Sequence, residues 1–321
     1  MLISYKRSGL VPALVLIGFT APLHAQPYAY STNIAGNNVS VVNTVTNTVA
    51  TFIPVPAGPS GIDVKPDGSE VYVASQSANM VSVIKTATNT VVASIATAPC
   101  PTQLTVTPNG REIYVAHPTT NQVSIIDTAT RSVVKTITVG ARPSGIFFNP
   151  TGTRAFVMNL WSGNVSVIDT ASKTVVQTFS AGSGPNSALV TQGGSRIFIS
   201  NLYSNVITVH VATSGALLKT ISGFTGPTWL AGAPSGTRVY VTNANAGTVS
   251  VLDTATDTIV ATIHIGPSLL PTSVALSADG TRAYVTNEYG FSMSVIDTTK
   301  NSVIATIIHV GMYPVVVALK P

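Results

Sequence analysis

One short motif recurs seven times along the chain. The quartet Tyr-Val-Thr-Asn and its variants begin at Tyr30, Tyr72, Tyr114, Phe156, Phe198, Tyr240 and Tyr284, a spacing of 42 residues that lengthens to 44 at the last step. A period of this size belongs to architectures built by stacking one supersecondary unit on the next, because a single unit cannot bury its own apolar face. It also explains away many residues that would otherwise look like a site.

Each repeat holds four short runs of strand character, as in Pro143-Ser-Gly-Ile-Phe-Phe-Asn-Pro150, Arg154-Ala-Phe-Val-Met158, Val165-Ser-Val-Ile168 and Thr174-Val-Val-Gln-Thr-Phe179. Valine, isoleucine and threonine dominate these runs, and turn signals such as Pro66-Asp-Gly68 and Asp127-Thr-Ala-Thr130 separate them. Helical periodicity is absent. Four tightly turned strands per repeat predict an antiparallel sheet, and seven such sheets arranged radially predict an all-β, seven-bladed β-propeller.

The proline opening the first strand occurs at Pro59, Pro101, Pro143, Pro185, Pro227, Pro271 and Pro314, yet none precedes the quartet at Tyr30. The terminal run Pro314-Val-Val-Val-Ala-Leu-Lys-Pro321 matches Pro59-Ser-Gly-Ile-Asp-Val-Lys-Pro66. The C-terminal strand is therefore expected to complete the N-terminal blade and close the ring, pairing two edges that would otherwise be exposed. The proline spacing places two extra residues in Gly266–Pro271 and one near Ile308.

The first 25 residues read as a secretory signal peptide: Lys6-Arg7, an apolar run from Gly9 to Phe19, and small residues up to Ala25. The run is shorter than the roughly 20 apolar residues a membrane span needs, so no transmembrane segment is expected after cleavage. Residues 26–321 then form one propeller domain of an exported, periplasmic or extracellular protein. Cys100 is the lone cysteine, so packing rather than an internal disulfide must stabilise the ring.

The quartets Tyr240-Val-Thr-Asn243 and Tyr284-Val-Thr-Asn287, each followed by Val-Ser-Val-Leu/Ile-Asp-Thr or its near equivalent, resemble the YVTN-type β-propeller repeats of surface-layer and periplasmic proteins. The resemblance covers the whole mature chain and implies an exported seven-bladed ring. That class includes adhesive or surface proteins, lactonase-like enzymes and a periplasmic DNA-binding member, so it hands over no catalytic residue. The fifth repeat departs most, with His210 at an aliphatic position and Val211 where other repeats carry Asp. A histidine with one satisfied hydrogen bond between blades is the expected role for His210.

Most carboxylates are absorbed by the repeat. Asp127, Asp169, Asp253 and Asp297 share one turn position, Asp67 and Asp279 another, and Glu70 and Glu112 a third, while Asp257 lies in a further turn; Asp63, on an inner strand, and Glu288 are left as the candidates for a polar or metal site. His117, His210, His264 and His309 fall at different repeat positions, and no nucleophile elbow appears. No catalytic residue, metal or cofactor is assigned. A lactonase-like enzyme using Asp63, Glu288 and asparagines in the channel mouth remains an alternative.

Loss of Lys6 and Arg7 with the leader takes the net charge from +5 to +3, no footprint for nucleic acid by itself. Arg154, Arg196, Arg238 and Arg282 nevertheless recur at one repeat position and would form an arc on one face. That arc could meet nucleic acid or an anionic polymer, or pair with the repeat aspartates. The opposite face carries the loops where the repeat breaks its own pattern: His117, Arg142, Leu160-Trp161, Leu202-Tyr203, Phe224, Glu288-Tyr289, Phe291 and Met312-Tyr313. Exposed aromatics there mark a partner surface, and Trp161, Tyr203, Tyr289, Tyr313, Arg142 and His117 are the candidates for contact with a protein or cell-envelope component. Just inside, Ser60, Thr102, Ser144, Asn186, Thr228 and Thr272 predict an open polar channel mouth, interrupted by Trp229 as either a stacking platform or a plug. The leading expectation is an exported, non-catalytic binding or scaffold propeller; oligomeric state is left open.

Overall fold

A computed structural model describes residues 28–320; the expected signal peptide lies outside the described residues. Twenty-eight strands, and no helix, are found among those residues. They form seven four-stranded antiparallel sheets, each in sequence order except the one that closes the ring. There Pro314–Leu319 pairs with Tyr28–Asn33, in register Ala29 with Leu319 and Tyr30 with Ala318. Blade 1 is this composite sheet, and blades 2 to 7 follow in chain order, opening at Pro59, at the strand Leu104–Val106, and at Pro143, Pro185, Pro227 and Pro271. The chain is a seven-bladed β-propeller closed by its own C-terminal strand.

The strand pattern follows from stacking. Second and third strands such as Glu70–Ser75 and Met80–Lys85 are buried at nearly every position, because one face packs on the preceding blade and the other on the next. Outermost strands such as Thr90–Ala96 alternate between exposed and half-buried positions, with only Ile95 buried. The core lies between blades: Tyr72, Val83 and Ile95 of blade 2 join Leu104, Ile113 and Ile126 of blade 3 in one cluster. Each such aliphatic side chain contributes roughly 1.5–3 kcal/mol on burial.

The quartet has a structural task. Its aromatic residue is fully or almost fully buried in every blade. Its asparagine, at Asn33, Asn159, Asn201, Asn243 and Asn287, donates from Nδ2 to a buried hydroxyl seven residues on, at 2.6–3.0 Å, tying second strand to third. At the axis the inner strands come so close that a Cβ on Gly61 would stand 2.4 Å from the Thr102 carbonyl oxygen. Glycine is therefore required there.

Candidate functional site

Two kinds of connection build the face on which the repeat varies: the loop entering each inner strand and the turn after each quartet. The residue before the opening proline always has positive φ. Glycine fills this slot at Gly58, Gly184 and Gly226, but Cys100, Arg142, Leu270 and Tyr313 adopt the same conformation at φ of 51–56°. A non-glycine residue there costs roughly 1–2 kcal/mol. In four blades an asparagine in the quartet turn anchors the slot: the backbone N–H groups of Gly58, Cys100, Arg142 and Gly226 donate to Asn37, Asn79, Asn121 and Asn205 at 2.7–3.0 Å.

Blade 7 replaces that polar tie with rings. Phe291 occupies the asparagine position at φ 48°, and its ring meets Tyr313 edge-on at 5.2 Å, while Tyr289 meets Tyr313 at 6.0 Å. Tyr289 is 59% exposed, Phe291 41% and the neighbouring Met312 56%. On the same face Trp161 and Tyr203 are 66% and 55% exposed, and the Arg142 guanidinium lies 4.7 Å over the Trp161 ring. Trp161 and Tyr203 wall a single groove of about 450 Å³ between blades 4 and 5.

Three residues of this loop set are buried rather than exposed. Leu160 and Phe224 lie in their loops but are buried there. His117 is fully buried too, which corrects its expected place on the partner surface: it stands at the quartet asparagine position of blade 3 and hydrogen bonds the Pro99 carbonyl through Nδ1 at 3.2 Å. Burial holds its pKa below the ordinary histidine value. His210 is likewise buried, packed on Phe179 and bonded through Nδ1 to the Gly215 carbonyl at 3.0 Å.

The channel mouth is a cavity of about 240 Å³ lined by Ser60, Ser144, Asn186, Thr228 and Thr272, with Trp229 among them. Its polar side chains bond from blade to blade: Ser60 Oγ donates to the Thr102 carbonyl at 2.8 Å, Asn186 Nδ2 to Thr228 at 2.8 Å and Thr272 Oγ1 to Val315 at 2.8 Å. Trp229 meets Phe147 at 5.8 Å and packs against apolar clusters of blades 1–2 and 6–7. The indole, itself part of the mouth lining, thus reaches across the channel toward other blades. Asp63 lies in the channel wall, its carboxylate accepting the Val64 and Val106 N–H groups at 2.8 Å each. Burial pushes it up to about 6. Glu288 is half-buried in the blade 7 turn, raised by burial. Among the described residues no group of three or more His, Cys, Asp or Glu is placed to hold a metal.

On the opposite face the arginine arc is largely paired. Arg154 bonds Asp169, Arg238 bonds Asp253, and Arg196 bonds Asp257 at 2.9 Å, while Arg282 donates to the Thr44 carbonyl at 3.0 Å. Glu70–Arg131 and Glu112–Lys173 join successive blades at 2.9 and 2.5 Å. Arg196–Asp257 uses the same two slots, 61 residues apart, with the charges exchanged. Paired guanidiniums project little field toward a polyanion.

Comparison with known proteins agrees with the architecture. Residues 70–154 match the family model described as YNCE-like beta-propeller. No curated protein matches the chain. Among solved structures it is similar to hydrazine synthase of Kuenenia stuttgartiensis, with TM-score 0.74, 21% identity, and 82% of this chain and 90% of that one covered. A functionally unknown protein from Desulfotomaculum acetoxidans aligns with TM-score 0.77 and 18% identity over 91% of this chain and 98% of its own. A Bacteroides fragilis protein provisionally called a 6-phosphogluconolactonase gives TM-score 0.78 and 15% identity over 93% and 99%. At these identities the likeness is one of fold alone.

Proposed function

We propose that the protein is an exported, non-catalytic propeller of the YVTN type that binds a protein or cell-envelope partner through its variable loop face. The observation carrying this reading is the concentration of exposed aromatics around non-glycine residues at positive φ, above all Phe291 and Tyr313. Backbone strain of this kind persists where side chains at the strained positions have a use, and exposed Trp and Tyr are the side chains most enriched at interface hot spots. The polyanion alternative has less support because Arg154, Arg196 and Arg238 are already paired with carboxylates. The lactonase-like alternative has less support because both Asp63 oxygens are engaged by backbone N–H groups and Trp229 reaches across the channel mouth.

Co-sedimentation of the mature protein with envelope fragments of its host tests the proposal. Tyr289→Ala with Tyr313→Ala is expected to weaken binding by about tenfold or more while leaving the melting temperature nearly unchanged. Charge reversal at Arg196 is expected to leave binding intact. Binding that survives the aromatic replacements, or that follows the arginine instead, removes the reading.

A further inference from the structure

The groove between blades 4 and 5 is built for rings that are apolar on their faces and polar at their rims. Its walls are Trp161 and Tyr203, each exposed on one side and backed on the other. Trp161 rests under the Arg142 guanidinium at 4.7 Å. Tyr203 lies so close to Gly184 that a Cβ there would stand 2.6 Å from Cδ2. Their backbones are tied across the loop: Trp161 N–H donates to Ala141 at 3.2 Å and Tyr203 N–H to Ser183 at 3.2 Å. Two aromatic plates are therefore fixed before any ligand arrives, so little side-chain entropy is lost on binding.

The floor differs from that of a hydrophobic docking cleft. Apart from the largely buried Leu160, it consists of Gly163, Gly182 and Gly184 with Ser162, Ser180 and Ser183, and no charged side chain lines the groove. Small residues leave main-chain polar groups within reach of a ligand, and serine hydroxyls both donate and accept. An aliphatic protein anchor would find too little apolar floor, and an anionic polymer would find no counter-charge within the groove. A volume of about 450 Å³ lies within the size range of small-molecule sites and admits more than a single ion.

We propose that this groove binds a neutral oligosaccharide segment, with the C–H faces of its pyranose rings stacked on Trp161 and Tyr203 and its hydroxyls bonded to the serine and glycine floor. This rests on the loop-face reading above and names the chemistry of one of its contacts: a glycan of the envelope partner or polymer. The chain has two tryptophans, and Trp229 sits in the channel, so a change in emission that disappears in Trp161→Ala reports the groove.

The test titrates the mature protein separately with cellohexaose, chitohexaose and maltohexaose, following tryptophan emission and heat. At least one is expected to give a saturable response at millimolar concentration or below. That affinity should fall by about tenfold or more in Tyr203→Ala, lose its heat signal in Trp161→Ala, stay unchanged in Tyr289→Ala, and be indifferent to added salt. No response to any of the three, binding unaffected by Trp161→Ala and Tyr203→Ala, or a response to decaproline but to no saccharide would overturn the assignment. If saccharides fail while Trp161→Ala still abolishes co-sedimentation with the envelope, the glycan inference falls and the docking reading stands. If co-sedimentation is indifferent to all four aromatics, the docking reading falls as well.

Discussion

Replacing Asp63 with asparagine should change how the stability of the ring depends on pH. The carboxylate is buried in the inner strand of blade 2, bonded to two backbone N–H groups, and among the described residues no cation stands within salt-bridge distance of it. Desolvation pushes it from 3.8 to about 6; the bonds from Val106 and Val64 pull the other way and are outweighed. Because the folded value lies above the unfolded one, the folded state binds more protons between about pH 4 and pH 6. The stability contributed by this group is therefore greatest below that window and declines as pH rises through it. A shift of about two units corresponds to about 3 kcal/mol over the full titration, of which about 2 kcal/mol falls between pH 4 and pH 7 because the unfolded carboxylate is already half-ionised at pH 4. His117 and His210, held low by burial, act with the opposite sign as they approach the ordinary histidine range, and Glu288 acts with the same sign. The decisive quantity is thus the difference between wild type and Asp63→Asn, read from urea unfolding at several pH values from 4 to 7. The variant should gain on the wild type by about 2 kcal/mol as pH rises from 4 to 7, superimposed on a pH-independent loss because the asparagine Nδ2 cannot accept the second backbone N–H that the carboxylate accepts. A difference that is constant with pH, or that moves in favour of the wild type, would refute the reasoning.

Deleting residues from Pro314 onward removes the inner strand of blade 1 and the burial of Val316, Val317 and Ala318; at roughly 1.5–3 kcal/mol per large side chain the melting temperature should drop by about 10 °C or more, and an unchanged thermal melt would contradict closure by this strand. Cys100→Gly should raise the urea midpoint by an amount worth about 0.5–1 kcal/mol, the roughly 1–2 kcal/mol of relieved strain less glycine's greater loss of chain entropy, since Cys100 holds φ 55° in a slot that three other blades give to glycine; an equal or lower midpoint would show that its side chain offsets the strain.

The ring closure was legible because it depends only on spacing: the proline series starts one strand late and ends one strand long, and Pro314–Leu319 completes blade 1 accordingly. Exposed loop residues were legible too, since departures from a period stand out, and Trp161, Tyr203, Tyr289 and Tyr313 all lie on the face expected of them. His117 was misplaced because its number sits beside a turn, while its repeat position is that of a buried asparagine; aligning it with Asn159 or Asn201 carries the signal. The partners in the charged rim were harder to read. Glu70–Arg131 and Arg196–Asp257 join residues 61 apart, a distance fixed by how one blade's turn overlies the next blade's strand. No local pattern encodes that overlap.

The slot before the opening proline shows why sequence and structure each hold half of the site. In the sequence Gly58, Cys100, Arg142, Gly184, Gly226, Leu270 and Tyr313 form an unremarkable variable column. The backbone gives every one of them a positive φ, so glycine is the unstrained choice and each side chain in the column stands against a cost. Arg142 and Tyr313 place that side chain on an exposed aromatic, Trp161 in one case and Tyr289 in the other. Since a stable ring needs neither contact, and three blades do without any side chain in the slot, strain at Arg142 and Tyr313 is better explained by the surface they build than by the fold. The loop face is therefore distinguished by conformational cost as well as by exposure, a property that variability in the sequence alone does not reveal.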